Sequence, residues 1–131
     1  MIRRKIEEML GRMIMVGFKE AELSENTPVL GILNKYSLGG VILYNIDLPC
    51  YLEAQQKNPA LTRTEAARIC PRNIISRDQL QALTANLKRS AQGPLFIAVD
   101  MEGGLVSRFA SDAAAADLAW TLRRLIEPTG S

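Results

Sequence analysis

The sequence predicts an α/β fold with a parallel sheet, and three observations support this. Three short apolar runs, MIMVGF (13–18), GVILY (40–44) and PLFIAV (94–99), are typical of strands that are buried on both faces. Segments whose apolar residues recur at helical spacing separate these runs, and capping or turn residues bound most of them. Such alternation predicts βαβ units. Three strands fit either the first part of a larger barrel or a small three-layer sandwich.

The amino-terminal half predicts two helices around the first strand. Apolar residues near the start recur as on an amphipathic helix, namely Ile2, Ile6, Met9 and Met13. Thr27 and Pro28 are typical of an N-cap followed by proline in the first helical turn. The helix that they begin is expected to end at Gly39 and Gly40, just before the second strand. Its inward residues are predicted to be Val29, Leu30, Ile32 and Leu33.

Residues 46–70 predict an excursion at one end of the sheet that contains one or two short helices. Prolines punctuate this region and its border, at Pro49, Pro59 and Pro71. Thr62 and Glu65 have the spacing of a capping box, which indicates the start of a helix. Cys50 and Cys70 are too few for a disulfide framework, and we expect two free thiols.

The next helix and the third strand complete the pattern. Ser76 and Gln79 repeat the capping-box spacing before a helix that should end near Gln92 and Gly93. Its buried stripe is predicted to be Leu80, Leu83 and Leu87. A last helix is expected within residues 112–126.

Composition excludes several classes of protein. The chain has 131 residues and a formal net charge of +2, without long basic runs, so neither nucleic acid nor a membrane is an expected partner. It contains no histidine, which excludes Ser-His-Asp and Cys-His nucleophile systems within the chain and most zinc sites. No cofactor and no metal are expected. The absence of a long apolar run makes the cytoplasm the expected compartment.

The candidate site follows the third strand. Asp100 stands where the strand is predicted to stop, and Glu102, Gly103 and Gly104 come directly after it. Ligands of parallel α/β folds meet the carboxyl ends of strands, so an acidic side chain there can bind substrate. The two glycines allow the backbone to approach a ligand closely. Arg108 offers a forked donor to hydroxyl or carboxylate groups. Turn capping by Asp100 and a surface ion pair at Arg108 remain the structural alternatives.

Four phrases of the sequence resemble glycoside hydrolase family 3, in its bacterial β-N-acetylhexosaminidase branch. They are GRMIMVGF, LGGVILYN, RNIISRDQLQALTANLKR and PLFIAVDMEGGLVSRF. The resemblance covers roughly residues 5–109 apart from the excursion, which is then an insertion at about 46–70. Residues 1–131 are accordingly expected to be one partial domain of this family, with a divergent tail over 110–131.

The resemblance implies the first part of a TIM-type (β/α)8 barrel, left incomplete, and a glycosidase that retains anomeric configuration. It also implies that Asp100 hydrogen-bonds sugar hydroxyls and that Arg108 helps to bind the sugar, while Glu102, Gly103 and Gly104 support the loop. Leu105 and Met101 depart from the family pattern. The family's Lys-His motif, acid/base loop and nucleophilic aspartate have no counterpart here, so no residue of this chain is predicted to be catalytic.

Three hypotheses result. The chain is the amino-terminal part of a retaining glycosidase, inactive by itself, whose substrate is β-linked N-acetylglucosamine from cell-wall or chitin-derived sugars. Alternatively it is a truncated, noncatalytic remnant that binds sugar or self-associates through an exposed barrel edge. An unrelated small-molecule-binding α/β domain is the third.

Overall fold

The computed structural model describes residues 1–100, and over this range the fold is mixed α/β, as predicted. The elements are α1 (Ile2–Arg12), β1 (Met15–Gly17), α2 (Pro28–Lys35), β2 (Gly40–Leu43), α3 (Leu48–Lys57), α4 (Arg63–Ile69), α5 (Arg77–Ser90) and β3 (Phe96–Val99). The helix expected within 112–126 and the tail over 110–131 lie outside the described residues.

The three strands form an open parallel sheet in the order β1-β2-β3. Val16 pairs with Val41, and Leu43 pairs with Val99. Because side chains alternate along a strand, the sheet has two distinct faces. We call one the helix face; its residues are Val16, Val41, Leu43, Ile97 and Val99. We call the other the open face; its residues are Met15, Gly17, Gly40, Ile42, Tyr44, Phe96 and Ala98.

The core lies on the helix face, beneath α2 and α5. Leu80, Leu83 and Leu87 of α5 are buried there, which confirms the predicted stripe. Val29 and Leu33 of α2 are buried in the same cluster. Leu30 packs against that cluster from a half-buried position, whereas Ile32 is exposed, so its predicted inward placement is wrong. These contacts join both helices to the same side of the sheet.

Burial of all three strands on both faces is a wrong prediction over the described range. β2 comes nearest to that character, because Val41 and Leu43 are fully buried on the helix face while Ile42 on the open face is half-buried. Met15 of β1 is 46% exposed and Phe96 of β3 is 75% exposed. The reason is topological, since β1 and β3 are the outer strands of this sheet and no helix of residues 1–100 packs on the open face.

Gly39 and Gly40, at the start of β2, have a different role from the predicted helix stop. α2 ends at Lys35, and Tyr36 follows it in an extended conformation. A Cβ at Gly39 would collide with the carbonyl oxygen of Arg12 at the end of α1. At Gly40 it would lie 2.8 Å from the Met15 Cε and 2.9 Å from the Phe96 carbonyl oxygen. Close packing of the chain around the start of β2 therefore requires both glycines.

The predicted amino-terminal helix is confirmed as α1, but its apolar side is not buried. Gly11 is its one buried residue, and the apolar side chains of the predicted stripe are exposed, namely Ile2, Ile6, Met9 and Met13. The helix is fastened at its end instead. The Gly39 N–H donates to the carbonyl of Gly11, and the Arg12 guanidinium donates to the carbonyl of Pro94.

The excursion contains two short helices, as expected, and its ends are joined. Thr62 and Glu65 form the predicted capping box at the start of α4. The prediction of free thiols is wrong, because Cys50 and Cys70 form a disulfide with their Cα atoms 5.6 Å apart. Asp47 N–H donates to the Cys70 carbonyl, so the backbone itself brings the two cysteines together. Across residues 1–100, no helix is both long enough and apolar enough to span a membrane.

Candidate functional site

Several polar groups that can bind a ligand lie at the carboxyl ends of the three strands. Lys19 and Glu20 follow β1, Tyr44 and Asn45 follow β2, and Asp100 follows β3. β3 ends at Val99, so the predicted position of Asp100 at a strand end is confirmed, and its side chain is exposed. Its role in binding stays a prediction. The other predicted site residues lie outside the described residues, namely Glu102, Gly103, Gly104 and Arg108.

The sheet register places Asp100 beside the end of β2. Leu43 pairs with Val99, so Tyr44 and Asp100 are the next residues on adjacent strands. Parallel strands lie about 4.8 Å apart, which makes these two residues neighbours along the edge. If the alternation of side chains continues by one residue, Asp100 is on the open face together with Tyr44.

Asn73, which the sequence did not single out, fastens the ends of β1 and β2 to each other. Its side chain is fully buried at 0% exposure. The Asn73 amide nitrogen donates to the carbonyls of Phe18 (3.1 Å) and Glu20 (2.9 Å), and its amide oxygen accepts from the Tyr44 N–H (3.1 Å). Its backbone N–H donates to the Tyr44 carbonyl at 2.8 Å. One asparagine thus satisfies four backbone groups where both strands end.

Arg72 lies beside Asn73 and presents its guanidinium at the same edge. Its Nε donates to the Phe18 carbonyl at 2.8 Å, and the guanidinium carbon is 5.1 Å from the centre of the Tyr44 ring. Gly17 lies next to this arrangement, and a Cβ there would make only ordinary van der Waals contacts of 3.7 Å with Arg72 Nη2 and Tyr44 Cε2. The half-buried Arg72 side chain therefore has a fixed orientation over the carboxyl end of the open face.

A charged pair occupies the outer corner next to β1. Lys19 Nζ is 3.5 Å from Asp47 Oδ2, and Asp47 Oδ1 accepts the Cys50 N–H at 3.2 Å. The Asp47 side chain is buried while Lys19 is largely exposed, so this carboxylate is already committed to the start of α3. Over residues 1–100, no three carboxylate, thiol or imidazole groups are placed to hold a metal ion.

Sequence reasoning found the edge but missed its arginine and asparagine. Asp100 was identifiable because an acid directly follows an apolar strand. Arg72 and Asn73 are separated from β2 by the whole excursion, and their neighbours Cys70 and Pro71 suggest only a turn. The signal that they reach the sheet is tertiary: Ile46 and Pro71 form an antiparallel bridge that returns the chain to the end of β2.

A second concave feature lies beside α5. It is a shallow depression between the segment after β1 and the helix, lined by Ala21, Glu22, Leu23, Gln79, Ala82, Leu83 and Asn86. Gln79, one of the lining residues, donates to the carbonyls of Ala21 and Asn73. This depression does not contain Asp100 or Arg72.

Comparison with known proteins gives one short resemblance. A Beta-hexosaminidase of the bacterium Photobacterium profundum is 55% identical to this chain over 38 residues. The match covers 29% of this chain and 11% of that protein. No protein-family model matches the chain, and no solved structure matches it. The resemblance is therefore partial, and it suggests a glycosidase-like origin.

Proposed function

We propose that this chain is the amino-terminal part of a retaining glycoside hydrolase of the family 3 β-N-acetylhexosaminidase type, which hydrolyses O-glycosyl bonds. The substrate is a β-linked N-acetylglucosamine in cell-wall or chitin-derived sugars. Asp100 and Arg108 contact the sugar, while the nucleophile and the acid/base group are not among these 131 residues. The observation that carries the proposal is the 38-residue segment that is 55% identical to a Beta-hexosaminidase.

The topology supports the proposal that these strands begin a (β/α)8 barrel. Consecutive strands are spatial neighbours in the order β1-β2-β3, and all pairs are parallel. α2 and α5 pack on one face of the sheet, whereas a doubly wound sheet carries helices on both faces. In a barrel the helices form the outer ring and the strand residues of the other face point inward. The open face then corresponds to the barrel interior.

Asp100 is suited to orient a sugar rather than to cleave it. It is exposed at the end of β3, where ligands of barrel folds bind. An ionised carboxylate accepts hydrogen bonds from neighbouring hydroxyl groups, and such charge-assisted bonds are stronger than neutral ones. Cleavage with retention requires a nucleophile and an acid/base group that form and then hydrolyse a glycosyl-enzyme intermediate. This chain supplies the orienting contact.

Binding and hydrolysis assays together test the proposal. We expect N-acetylglucosamine to bind the purified chain, and Asp100→Asn to weaken that binding about tenfold, as expected when a hydrogen bond to a charged group is lost. Asp78→Asn is the matched control, since Asp78 is an exposed aspartate on α5. A chromogenic N-acetylglucosaminide should show no turnover with the chain alone. Turnover, or binding that Asp100→Asn leaves unchanged, would contradict these roles.

The open face favours a second function, that of a noncatalytic remnant which self-associates. Phe96 and Met15 expose apolar surface on this face, and β1 and β3 are the outer strands of the described sheet. Exposed strand edges and apolar patches promote pairing with another chain. Sedimentation should then show a dimer that Phe96→Lys converts to monomer, whereas Tyr36→Lys at the exposed end of α2 has no effect. A monomeric wild-type chain excludes this function.

The disulfide is relevant to the cellular compartment of the protein. A cytoplasmic location remains our prediction from composition, yet the bond between Cys50 and Cys70 weighs against it, because disulfides persist mainly in oxidising compartments. Peptide mapping of the chain isolated from its native cells, with thiols blocked at lysis, distinguishes the two. A cross-linked peptide containing both cysteines would exclude a reducing cytoplasm.

A further inference from the structure

We propose that α1 binds the surface of an anionic phospholipid bilayer and thereby attaches the domain to it. This inference goes beyond the proposed function and does not depend on it, since it concerns the other end of the sheet from Asp100. The net charge of +2 predicted no membrane partner. A net charge does not describe where the charges lie, and on α1 they are arranged around an exposed apolar stripe.

The apolar stripe of α1 is continuous. A helix has about 3.6 residues per turn, so five of its apolar side chains fall within about 100° of the helix circumference. They are Ile2, Ile6, Met9, Leu10 and Met13, and each is between 51% and 83% exposed. Gly11, the buried residue of α1, lies on the opposite side, where a Cβ would come 2.7 Å from the Ser37 carbonyl oxygen. The stripe therefore faces away from the contact between α1 and the rest of residues 1–100.

Basic side chains border the apolar stripe, and acidic ones lie further round the helix. By the same rotation, Arg3 adjoins one border and Lys5 adjoins the other, while Glu7 and Glu8 lie on the far half of the circumference. Arg3 is 3.1 Å from Glu7, but both side chains are exposed, and such surface pairs contribute little. Lys5 forms no ion pair within residues 1–100. Both borders can therefore contact an anionic surface.

This arrangement of charges favours a bilayer as the occupant of the stripe. An interfacial helix buries its apolar side at the boundary of headgroups and acyl chains, while the Lys and Arg side chains beside it extend to the headgroups. The carboxylates on the far half stay away from the anionic phosphates. A second copy of α1 packed on the stripe would instead bring basic borders together, and like charges in contact are unfavourable.

The attachment of α1 leaves the proposed sugar-binding edge free. Arg12 Nη1 donates to the Pro94 carbonyl at 2.8 Å, shortly before β3, and the Gly39 N–H donates to the Gly11 carbonyl directly before β2. α1 therefore joins the sheet at the amino ends of its strands. Asp100 follows the carboxyl end of β3, so a domain bound through α1 can still bind sugar.

Vesicle co-sedimentation of the purified chain tests the proposal. We expect binding to vesicles of equal parts phosphatidylglycerol and phosphatidylcholine. Binding to phosphatidylcholine alone should be about twentyfold weaker, because each of two basic residues contributes about fivefold at an anionic surface. Ile6→Asp places a charge in the stripe and should weaken binding to the anionic vesicles about tenfold. Ile69→Asp, at an exposed isoleucine of α4, is the matched control and should have no effect.

The basic borders are tested by a second variant that keeps the stripe intact. Arg3→Gln combined with Lys5→Gln should weaken binding to the anionic vesicles about twentyfold and leave binding to phosphatidylcholine unchanged. Arg63→Gln combined with Arg68→Gln removes two exposed charges from α4 and is the control. Equal binding of the wild-type chain to both kinds of vesicle would overturn the role of the borders and the anionic lipid with it.

Methionine oxidation distinguishes a bilayer from other occupants. Hydrogen peroxide should oxidise Met9 and Met13 in the free chain, and anionic vesicles should protect both, as measured by mass spectrometry. Protection already in the free chain would mean that a second copy or another segment covers the stripe, which overturns the proposal. Absence of vesicle binding, or binding that Ile6→Asp leaves intact, overturns it as well. None of these outcomes affects sugar binding at Asp100, which is measured separately.

Discussion

The helix face and the open face belong to the same three strands, yet their large side chains differ in burial. On the helix face Val41 and Leu43 are almost inaccessible to solvent, while on the open face Phe96 is 75% exposed. Both faces are apolar in sequence. The difference comes from what packs against each, since α2 and α5 cover one face and no helix of residues 1–100 covers the other. The composition of a strand therefore indicates whether its side chains can be buried, whereas the packing of helices on each face determines whether they are.

The largest expected difference between the faces is in the cost of truncating a side chain. Leu87→Ala removes a fully buried side chain from the helix face and should lower the free energy of unfolding by about 2–5 kcal/mol. Phe96→Ala removes a larger side chain from the open face, and we expect a change of about 0.5 kcal/mol or less. Urea unfolding followed by circular dichroism measures both. Comparable losses for the two variants would mean that the open face is covered in solution.

Much of the fold was predictable because local signals agreed with one another. The leucine stripe of α5 and the capping box of α4 are local patterns, and both are confirmed. The errors arose where distant segments meet. Gly39 suggested a helix stop, whereas close approach of the end of α1 requires it. The exposure of Met15 and Phe96 follows from which strands are outermost, and a strand pattern does not encode this.

The site was predictable only in part, for the same reason. An acid after an apolar strand identified Asp100. Arg72 and Asn73 reach the sheet because Ile46 pairs with Pro71 and returns the chain to the end of β2. Residue spacing in the sequence does not predict such a long-range contact. The disulfide was missed because the small number of cysteines argued against one. The bridge between Ile46 and Pro71 brings Cys50 and Cys70 close enough to form it.

The disulfide joins the two ends of the excursion to each other. Replacing both residues, Cys50→Ser with Cys70→Ser, should lower the free energy of unfolding by about 3 kcal/mol, because the bond closes a loop with a sequence separation of 20. Dithiothreitol should destabilise the wild-type chain by a similar amount and leave the double variant unchanged. A wild-type chain that is insensitive to the reductant would contradict the bond.

Asn73 provides the next smaller effect and concerns the carboxyl edge itself. Asn73→Ala leaves the buried carbonyl of Phe18 without one of its donors and removes the acceptor of the Tyr44 N–H. We expect a loss of about 1–3 kcal/mol in the free energy of unfolding, the cost of unsatisfied buried polar groups. Asn86→Ala on α5 is the matched control. Hydrogen exchange should accelerate first at the Tyr44 amide; unchanged protection there would contradict the proposed fastening of the two strands.

The smallest effect is expected at the capping box, which lies on neither face of the sheet. The Thr62 hydroxyl donates to Glu65 Oε2 at 2.7 Å, and this bond, reinforced by the Thr62 N–H, holds the Glu65 pKa below its ordinary value. Because the pKa is lowered in the folded chain, the stabilising contribution is present above the unfolded pKa and is lost as pH falls through the folded one.

Thr62→Ala should therefore raise the Glu65 pKa towards its ordinary value and cost about 1 kcal/mol of stability through loss of the cap. Carboxyl chemical shifts followed by NMR during an acid titration measure the pKa. Thr64→Ala, two residues further along and also exposed, is the control and should change neither quantity appreciably. Sugar binding at the carboxyl edge should be the same in both variants. If Thr62→Ala weakened it, the start of α4 would be coupled to the carboxyl edge.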